Sequence, residues 1–258
     1  MLNTAVKAAR RAGNIINRAS LDAQRLQITA KGAKDFVTEV DLACEQAIID
    51  VLHEAYPQHA FLAEESGRVH HPANGSEPEF EWVIDPLDGT TNFIHGMPIY
   101  AISIALRQRG QSMHAVVYDP NRNELFTASR GGGAFVNDRR MRVSGRLQIH
   151  DTLLGARWPN SGDVHPQLVE RFGRLAADSA GIRRTGSSVL DMVYVAAGRL
   201  DGFCGVELKP WDMAAASLLV IEAGGLVSDF FGEQDWMSSG SVVAASPKVF
   251  PKILQYVS

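Results

Sequence analysis

The chain has 258 residues, of which 45% are hydrophobic and 21% are charged. Intrinsic disorder, a collagen helix and a long coiled coil each need a different composition, so these classes are excluded. The formal net charge of -4 also argues against a surface dedicated to nucleic acid, which usually needs a basic domain.

The cysteine content and the apolar segments predict the compartment. Cys44 and Cys204 are the only cysteines, too few for a disulfide framework. The N-terminal segment lacks the apolar run of a signal peptide, and no stretch reaches the roughly 18 apolar residues of a membrane span. We therefore expect a cytoplasmic protein without a membrane segment.

Two helices are predicted before the first strand of the main sheet. Apolar residues at helical spacing predict one helix over residues 3–19. The acidic turn after Thr38 predicts a second helix that ends near Tyr56. Residues 31–35, between the two helices, are typical of a loop.

A series of short strands follows the second helix. The strand over residues 60–63 would deliver Glu64 and Glu65 at its end, and residues 66–79 are rich in turn formers. Further apolar runs predict a mostly antiparallel meander, with a hairpin through residues 137–138. Its earlier strands are predicted at residues 82–84, 100–106, 114–118 and 124–128.

The pattern changes after residue 145 to alternating strands and helices. Helices are predicted near residues 165–178, 187–197 and 211–223. We therefore expect an N-terminal α+β half over residues 1–145, which carries the metal and phosphate motifs. An α/β half over residues 146–258 would complete the active site.

Carboxylates gather at predicted strand ends and helix starts. Carboxylates held close together repel one another, and a divalent cation relieves the repulsion; hard oxygen ligands suit Mg²⁺ or Mn²⁺ better than Zn²⁺. Because Pro86 stiffens its turn, the flanking carboxylates and the Leu87 carbonyl can face one ion. The clusters are Glu64 with Glu65, Asp85 with Asp88, and Asp212.

Each cluster also has a simpler interpretation. Asp88 and Gly89 alone would suit a hairpin turn, and Asp212 alone would suit the first turn of a helix. The continuation through Thr90 and Asn92 favours chemistry, because backbone N–H groups that open a helix bind anions. A phosphate beside carboxylates makes physical sense only with cations between them, so the pattern predicts metal-dependent phosphate chemistry.

The sequence resembles a known family, the inositol monophosphatases. They belong to a wider group of Mg²⁺-dependent, Li⁺-sensitive phosphatases that includes the fructose-bisphosphatases. The most specific segment contains Asp85-Pro86-Leu87-Asp88-Gly89-Thr90-Thr91. The matching segments are residues 35–41, 64–66, 82–93, 184–188 and 211–225.

The resemblance implies a layered α/β/α/β/α fold of the inositol monophosphatase and fructose-bisphosphatase type, usually a homodimer. It implies that two or three Mg²⁺ ions are bound by Glu64, Asp85, the Leu87 carbonyl, Asp88 and Asp212. The implied catalytic residues are Glu64, Thr90 and Asp88, of which Glu64 and Thr90 orient the attacking water. The implied substrate-binding residues are Gly89, Thr90, Asp88, Ser187, Ser188 and Asp212. Lys31 matches a family lysine near the metal site.

Two departures from the family pattern concern the alcohol part of the substrate. A glutamate that contacts a substrate hydroxyl in many members would fall at Gly205, whereas Glu207 lies two residues later. Arg157 stands where many bacterial relatives carry a small residue. We therefore include Arg157 and Glu207 among the candidate site residues.

The predicted function is Mg²⁺-dependent hydrolysis of a small phosphomonoester by metal-activated water, nominally inositol 1-phosphate to inositol and phosphate. Histidinol phosphate, a sugar bisphosphate or a 3′-phosphoadenosine nucleotide are alternative substrates within the same chemistry. A different class of function is also open, because some bacterial relatives associate with the transcription antitermination machinery. Only a basic stretch over residues 139–146 supports nucleic acid as a partner.

Overall fold

The computed structural model describes residues 1–21, 28–32, 35–72, 75–76, 78–158 and 166–258. The helices are α1 (Leu2–Ala19), α2 (Glu39–Ala55), α3 (Thr90–Ile94), α4 (Pro166–Asp178), α5 (Ser188–Ala196), α6 (Pro210–Glu222), α7 (Trp236–Ser239) and α8 (Phe250–Val257). The first strands are β1 (Ile28–Gly32), β2 (Asp35–Thr38), β3 (Ala60–Ala63), β4 (Gly67–Val69), β5 (Phe80–Asp88), β6 (Ala101–Gln108), β7 (Gln111–Asp119) and β8 (Glu124–Ser129). The remaining strands are β9 (Gly133–Val136), β10 (Arg139–Arg140), β11 (Leu153–Arg157), β12 (Gly181–Arg183), β13 (Gly202–Gly205), β14 (Leu226–Ser228) and β15 (Val242–Ala245).

The larger sheet has the strand order β10-β9-β8-β7-β6-β5-β3-β4. Strands β5 to β10 pair in sequence with antiparallel neighbours, which confirms the predicted meander. Strand β3 pairs in parallel with β5, so the ends of these two strands lie side by side at one edge of the sheet. This arrangement brings the residues after β3 next to the end of β5.

Helices α1 and α2 cover one face of this sheet. Side chains alternate between the faces of a strand, and in β5 Trp82 and Ile84 belong to the core beneath α1 and α2. Val83 belongs instead to the core on the opposite face, which is covered by α5 and α6. Both faces of β5 are therefore buried, as its apolar run over residues 82–84 requires.

The smaller sheet has the order β12-β11-β13-β15-β14 and lies on the other side of α5 and α6. Phe203 and Val242 face these two helices, whereas Cys204 and Val243 belong to the core beneath α4 and α8. The layers are thus α1 and α2, the larger sheet, α5 and α6, the smaller sheet, and α4 and α8. The predicted α/β/α/β/α sandwich is confirmed.

Helix α6 has to be apolar on all sides because it lies between two sheets. Every residue from 212 to 220 is buried. Among them, Asp212 is a carboxylate, and Pro210 begins the helix at the position where the missing N–H costs nothing. A buried acidic side chain in the first turn of this mostly apolar helix therefore points to a specific role.

Two segments predicted as loops contain strands. Lys31 and Gly32 end β1, and Asp35 begins β2, which pairs antiparallel with β1; residues 33–34 are outside the described part of the chain. Residues 67–69 form β4 and pair with β3 at the edge of the larger sheet. Turn-forming residues did not prevent these strands because the backbone hydrogen bonds come from a neighbouring strand rather than from local propensity.

The larger sheet uses residues 60–140 and the smaller sheet residues 153–245. Helices α5 and α6, which follow residue 145, nevertheless fill one face of the larger sheet. The division into halves at residue 145 stays a prediction. Within the described residues, no helix is both long enough and apolar enough to cross a membrane.

Candidate metal and phosphate site

The positions of Asp85 and Asp88 follow from a bulge at the end of β5. Asp85 pairs with Ser103 and Asp88 with Ala101, so three steps along β5 oppose two steps along β6. Pro86 lies inside the bulge, where its lack of an N–H costs no ladder hydrogen bond. A bulge bends the strand and changes the direction of its side chains. Both carboxylates therefore line the same cavity.

Asp212 reaches this cavity from the start of α6. Its Oδ2 accepts the backbone N–H of Lys209 at 2.8 Å, which fixes the carboxylate at the helix N-terminus. One carboxylate oxygen each from Asp85, Asp88 and Asp212 lies within 4.8 Å of the other two. We call these residues the three-carboxylate group.

The electrostatic state of the three-carboxylate group follows from burial and from mutual repulsion. Burial raises the pKa of Asp85 well above its ordinary value, and the charges of Glu64, Asp88 and Asp212 raise it further. Burial and the charge of Asp212 raise the pKa of Asp88 to about 7. Burial also raises the pKa of Asp212, against the opposing charge of Arg157. Carboxylates in this state are stabilised by a bound cation, and their oxygens are the ligands that Mg²⁺ and Mn²⁺ prefer.

Glu64 and Leu87 complete the predicted set around the same cavity of about 820 Å³. The backbone N–H of Glu64 donates to the carbonyl of Ile84 at 3.1 Å, which holds the end of β3 against β5. The next N–H groups, of Glu65 and Ser66, donate to the buried carboxylate of Glu45. All five positions predicted to bind metal line the cavity, and the donor set fits a hard divalent cation; their roles as ligands stay a prediction.

Gly89 connects the end of β5 to α3 in a conformation that needs glycine. Its φ of +99° lies in the left-handed region, and a Cβ atom would lie 2.8 Å from the carbonyl oxygen of Ile99. The chain then enters α3 directly, so Asp88 and Gly89 do not form a two-residue hairpin. Phe93 N–H donates to the Gly89 carbonyl, and the N–H groups before it have no partner within the helix. Gly89, Thr90 and Thr91 line the cavity beside the three-carboxylate group.

Asp41 contacts a residue of the cavity wall, Thr90, whereas the sequence pattern assigned it to a helix start. It does form that start, since its Oδ2 accepts the backbone N–H of Thr38 at 2.9 Å in a capping box. Its Oδ1 also accepts the hydroxyl of Thr90 at 3.0 Å, although the two residues are 49 positions apart. Burial raises the pKa of Asp41, against opposing hydrogen bonds from Thr38 and Thr90. The Asp41–Thr90 pair therefore joins α2 to the start of α3 through a group able to exchange a proton.

The loop before α5 supports Asp88. The Ser187 hydroxyl and the Val189 N–H both donate to Asp88 Oδ2, and the Ser187 oxygen accepts the Leu190 N–H at the start of α5. Nearby, Asp191 is buried and accepts the Thr185 hydroxyl at 2.9 Å. Burial raises the pKa of Asp191 to about 7, against the opposing hydrogen bond from Thr185. Asp191 lines the cavity as well, and no sequence signal indicated this beyond its position in the first turn of α5.

The two departures from the family pattern lie on the cavity wall. Arg157, at the end of β11, forms an ion pair with Asp212 at 3.1 Å. Glu207 lines the cavity with a φ of +57°, which is unusual for a residue with a side chain. Gly205 cannot carry a larger side chain without repacking, because a Cβ atom would lie 3.0 Å from Phe203 and 3.1 Å from Leu208.

The two remaining predicted residues differ in what the structure describes. Ser188 begins α5 and lines the cavity. Lys31 lies in β1, but its side chain is outside the described part of the structure. Of the predicted site residues, all others line the cavity: Glu64, Asp85, Leu87, Asp88, Gly89, Thr90, Arg157, Ser187, Ser188, Glu207 and Asp212.

Comparison with known proteins gives a consistent result at the level of sequence and of fold. The family described as "Inositol monophosphatase family" matches residues 1–258. The chain is 50% identical over 257 residues to "Nus factor SuhB" of Pseudomonas aeruginosa, covering 98% of this chain and 94% of that protein. It is similar to the crystal structure of extragenic suppressor protein suhB from Bartonella henselae, with a TM-score of 0.94, 40% identity and coverage of 99% of this chain and 97% of that one. It is also similar to the inositol monophosphatase from Anabaena sp. PCC 7120, with a TM-score of 0.85, 31% identity and coverage of 99% and 94%.

These matches span the whole chain and include both sheets and every segment that forms the cavity. The identity to proteins of the same length is well above the level at which only a fold is shared. The chain therefore belongs to the inositol monophosphatase family.

Proposed function

We propose that this protein is a Mg²⁺-dependent phosphomonoesterase that hydrolyses a small phosphorylated alcohol. The observation that carries the proposal is the convergence of Asp85, Asp88 and Asp212 in one cavity, next to the N–H groups that open α3. A carboxylate group alone would repel a phosphate. Carboxylates that hold a divalent cation can bind a phosphate through that cation.

The metal site would use Glu64, Asp85, the Leu87 carbonyl, Asp88 and Asp212, which surround the cavity. Two or three Mg²⁺ ions bound there would neutralise the phosphoryl oxygens and lower the pKa of a bound water. The protein provides the positioning: the bulge in β5 fixes Asp85 and Asp88, and the backbone N–H of Lys209, which donates to Asp212 Oδ2, fixes Asp212. Rigid placement of charge in a partly closed cavity supplies most of the expected rate enhancement.

Thr90 and Asp41 form the proposed route for the water proton. The Thr90 hydroxyl lies within hydrogen-bond distance of two acceptors, Asp41 Oδ1 at 3.0 Å and the Leu87 carbonyl at 3.1 Å. A metal ion bound by the Leu87 carbonyl would favour donation to Asp41, and the lone pairs of the hydroxyl oxygen would then accept a proton from a water molecule. Transfer of the hydroxyl proton to Asp41 would complete the route, and the raised pKa of that buried carboxylate favours its protonation. Glu64 would hold the same water from the opposite side, as its position on the cavity wall allows.

The phosphate would be held by backbone N–H groups. Those of Gly89 and Thr90 precede the first hydrogen bond of α3 and line the cavity. The left-handed conformation of Gly89 lets the backbone approach the phosphate without a Cβ atom in the way. Ser187 supports Asp88 through its hydroxyl, and Ser188, Asp88 and Asp212 would face the ester oxygen and the alcohol.

The nominal substrate is inositol 1-phosphate. The membership in the inositol monophosphatase family and the fold similarity to the Anabaena inositol monophosphatase support it. Glu207 would contact the alcohol hydroxyls, because Gly205 has no side chain and cannot do so. Histidinol phosphate, a sugar bisphosphate and a 3′-phosphoadenosine nucleotide are the alternative substrates. Cytoplasmic location, a homodimer and inhibition by Li⁺ are parts of the same proposal.

The names of the relatives favour a second function. "Nus factor SuhB" of Pseudomonas aeruginosa is 50% identical to this chain, which supports a link to the transcription machinery. Such a role would use the surface of the protein as a partner-binding module and would not need hydrolysis. The two functions are therefore separable by a variant with an intact fold and an inactive cavity.

The decisive experiment measures phosphate release with and without Mg²⁺ from the nominal substrate and the three alternatives. We expect turnover only with Mg²⁺, inhibition by Li⁺, and loss of turnover in Asp88→Asn, which keeps the acceptor for Ser187 and Val189. Wild-type rates in that variant would refute the assignment. Full rescue of a deletion strain by Asp88→Asn would instead assign the physiological role to binding.

A further inference from the structure

We propose that Arg157 is a resident cation of the metal site, which weakens the binding of the divalent ion nearest to Asp212 and partly neutralises the carboxylates when no ion is bound. The inference rests on the proposed metal site and concerns a residue that the family pattern does not include. It predicts how tightly this protein binds metal, which the proposed function leaves open.

The first support is the position of Arg157. It ends β11 and pairs in the sheet with Gly205, so its side chain enters the cavity at the level of the start of α6. Its Nη1 donates to Asp212 Oδ2 at 3.1 Å. The side chain of Asp212 is 11% exposed and that of Arg157 is 34% exposed, so solvent screens this ion pair in part, though less than it would a pair on the open surface. The ion pair joins Arg157 directly to a member of the three-carboxylate group.

The second support is the number of donors on one oxygen. Asp212 Oδ2 accepts both the Arg157 guanidinium and the backbone N–H of Lys209. Its Oδ1 is therefore the oxygen left to meet a divalent ion. An ion at Oδ1 would lie close to a unit positive charge in a partly buried site, where charges interact more strongly than in water.

The third support is the reach of the charge beyond its direct partner. Asp88 and Asp212 each have a carboxylate oxygen within 4.8 Å of the other. A guanidinium bonded to Asp212 therefore acts on both carboxylates that would share one ion. The same charge repels that ion, because a cation already compensates part of the negative charge.

Arg157 therefore lowers the metal affinity of the protein and stabilises its metal-free form. Without Arg157, the carboxylates would repel one another more strongly and bind a divalent ion more tightly. With Arg157, one ion position is weak and requires a higher metal concentration. A phosphate ester entering the cavity would meet a guanidinium in addition to the bound ions.

The test is calorimetric titration of the purified protein with Mg²⁺, and with Mn²⁺ as a second probe, without substrate. Arg157→Met removes the charge and keeps a similar aliphatic stem, whereas Arg157→Lys keeps the charge. The matched control is Arg146→Met, which removes an arginine paired with the buried Asp201 at 3.4 Å outside the cavity lining.

We expect Arg157→Met to bind at least one ion about tenfold more tightly than the wild type, as the removal of a unit charge near a divalent ion predicts. Its melting temperature without metal should fall, and its gain in melting temperature on addition of Mg²⁺ should rise. Arg157→Lys and Arg146→Met should keep the wild-type metal affinity.

Unchanged or weaker metal binding in Arg157→Met would overturn the inference, as would an equal increase in Arg157→Lys. If the proposed function alone is wrong, the wild type and the variants would bind metal as expected, but no phosphate would be released from any substrate. A wild type and variants that all bind no divalent ion would overturn both.

Discussion

Two buried aspartates at the ends of strands in the larger sheet have opposite surroundings. Asp119 ends β7 and is fully buried, and Asp85 lies in the bulge of β5 and is 1% exposed. Asp119 accepts the N–H groups of Asn121 and Arg122 and forms an ion pair with the Arg122 side chain at 3.0 Å. Asp85 accepts one N–H, from Leu87, and otherwise faces carboxylates.

The difference separates structural aspartates from those available for chemistry. The donors around Asp119 compensate its charge within the fold, so it stabilises a turn and needs no ligand. The surroundings of Asp85 leave its charge uncompensated, so only a proton or a cation from solution can relieve the repulsion. Burial is the same in both places, and the partners decide the role.

The strongest test of this comparison replaces one aspartate of each kind. Asp85→Asn keeps the acceptor for the Leu87 N–H but removes a charge. We expect turnover to fall by more than about a hundredfold, since loss of outer-shell partners of a metal alone costs about 10- to 100-fold. The metal-free protein should become more stable, because one source of repulsion is removed. Steady-state kinetics and chemical denaturation without metal measure both effects.

Asp119→Ala is the matched change at the other position. It should lower the free energy of unfolding by about 1–3 kcal/mol, because buried donors lose their acceptor. Turnover should remain near the wild-type value at temperatures where the protein is folded. A large loss of turnover in a folded Asp119→Ala protein, or none in Asp85→Asn, would contradict the comparison.

The pH dependence of stability of the metal-free protein is a further test of the comparison, with a smaller expected effect than the aspartate substitutions. Burial raises the pKa of Asp88 to about 7, above the value that it has in the unfolded chain. A carboxyl whose pKa is raised by folding contributes stability below its unfolded pKa and loses that contribution as the pH rises through its folded pKa. The metal-free protein should therefore lose stability between about pH 4 and pH 7.

The gain in melting temperature on addition of Mg²⁺ should change in the opposite sense. It should be larger at pH 8 than at pH 6, because metal binding requires the ionised form of Asp88. Thermal unfolding at both pH values, with and without Mg²⁺, measures the effect. Asp88→Asn is the control, and an equal Mg²⁺ gain at both pH values in the wild type would argue against a proton and a cation sharing this site.

The smallest expected effect concerns Glu207, whose φ of +57° is a conformation that glycine adopts without strain. Glu207→Gly should raise the free energy of unfolding by about 1 kcal/mol, the usual cost of a left-handed residue. If Glu207 contacts the alcohol, KM for inositol 1-phosphate should rise several-fold with kcat nearly unchanged. Glu207→Asn, which also tolerates this conformation, separates the carboxylate from the strain, and an unchanged KM in both variants would remove Glu207 from the alcohol pocket.

The sequence was sufficient where local pattern and chemistry agree. The run from Asp85 to Thr90 combines acidic residues, a proline and a glycine in a spacing that predicts both a metal site and a helix start. The structure has the bulge and α3 at this place. The long helices α1, α2 and α6 follow from apolar periodicity and helix-start residues.

The sequence was insufficient where function depends on a partner far along the chain. Asp41 has the appearance of a helix-start residue, and only packing shows that its second oxygen meets Thr90. The segment of residues 35–41 matched the family pattern and was the one signal for it. From the sequence, Asp191 is only an acidic residue in the first turn of a helix. It lines the cavity because α5 lies between the two sheets.

For this protein, the order of apolar and acidic residues determined the helices, the strands and the candidate carboxylates, because periodicity and turn chemistry act within a few residues. The layered arrangement of these elements was implied by the resemblance to the family. Tertiary structure decided which carboxylates meet each other and which meet donors, because that depends on strand pairing and helix placement across the whole chain. It also placed Arg157 beside Asp212, 55 positions away, and no local rule connects the two residues. Charges repel and compensate one another through space, so these interactions can be identified only when the folded structure shows which charged groups are close together.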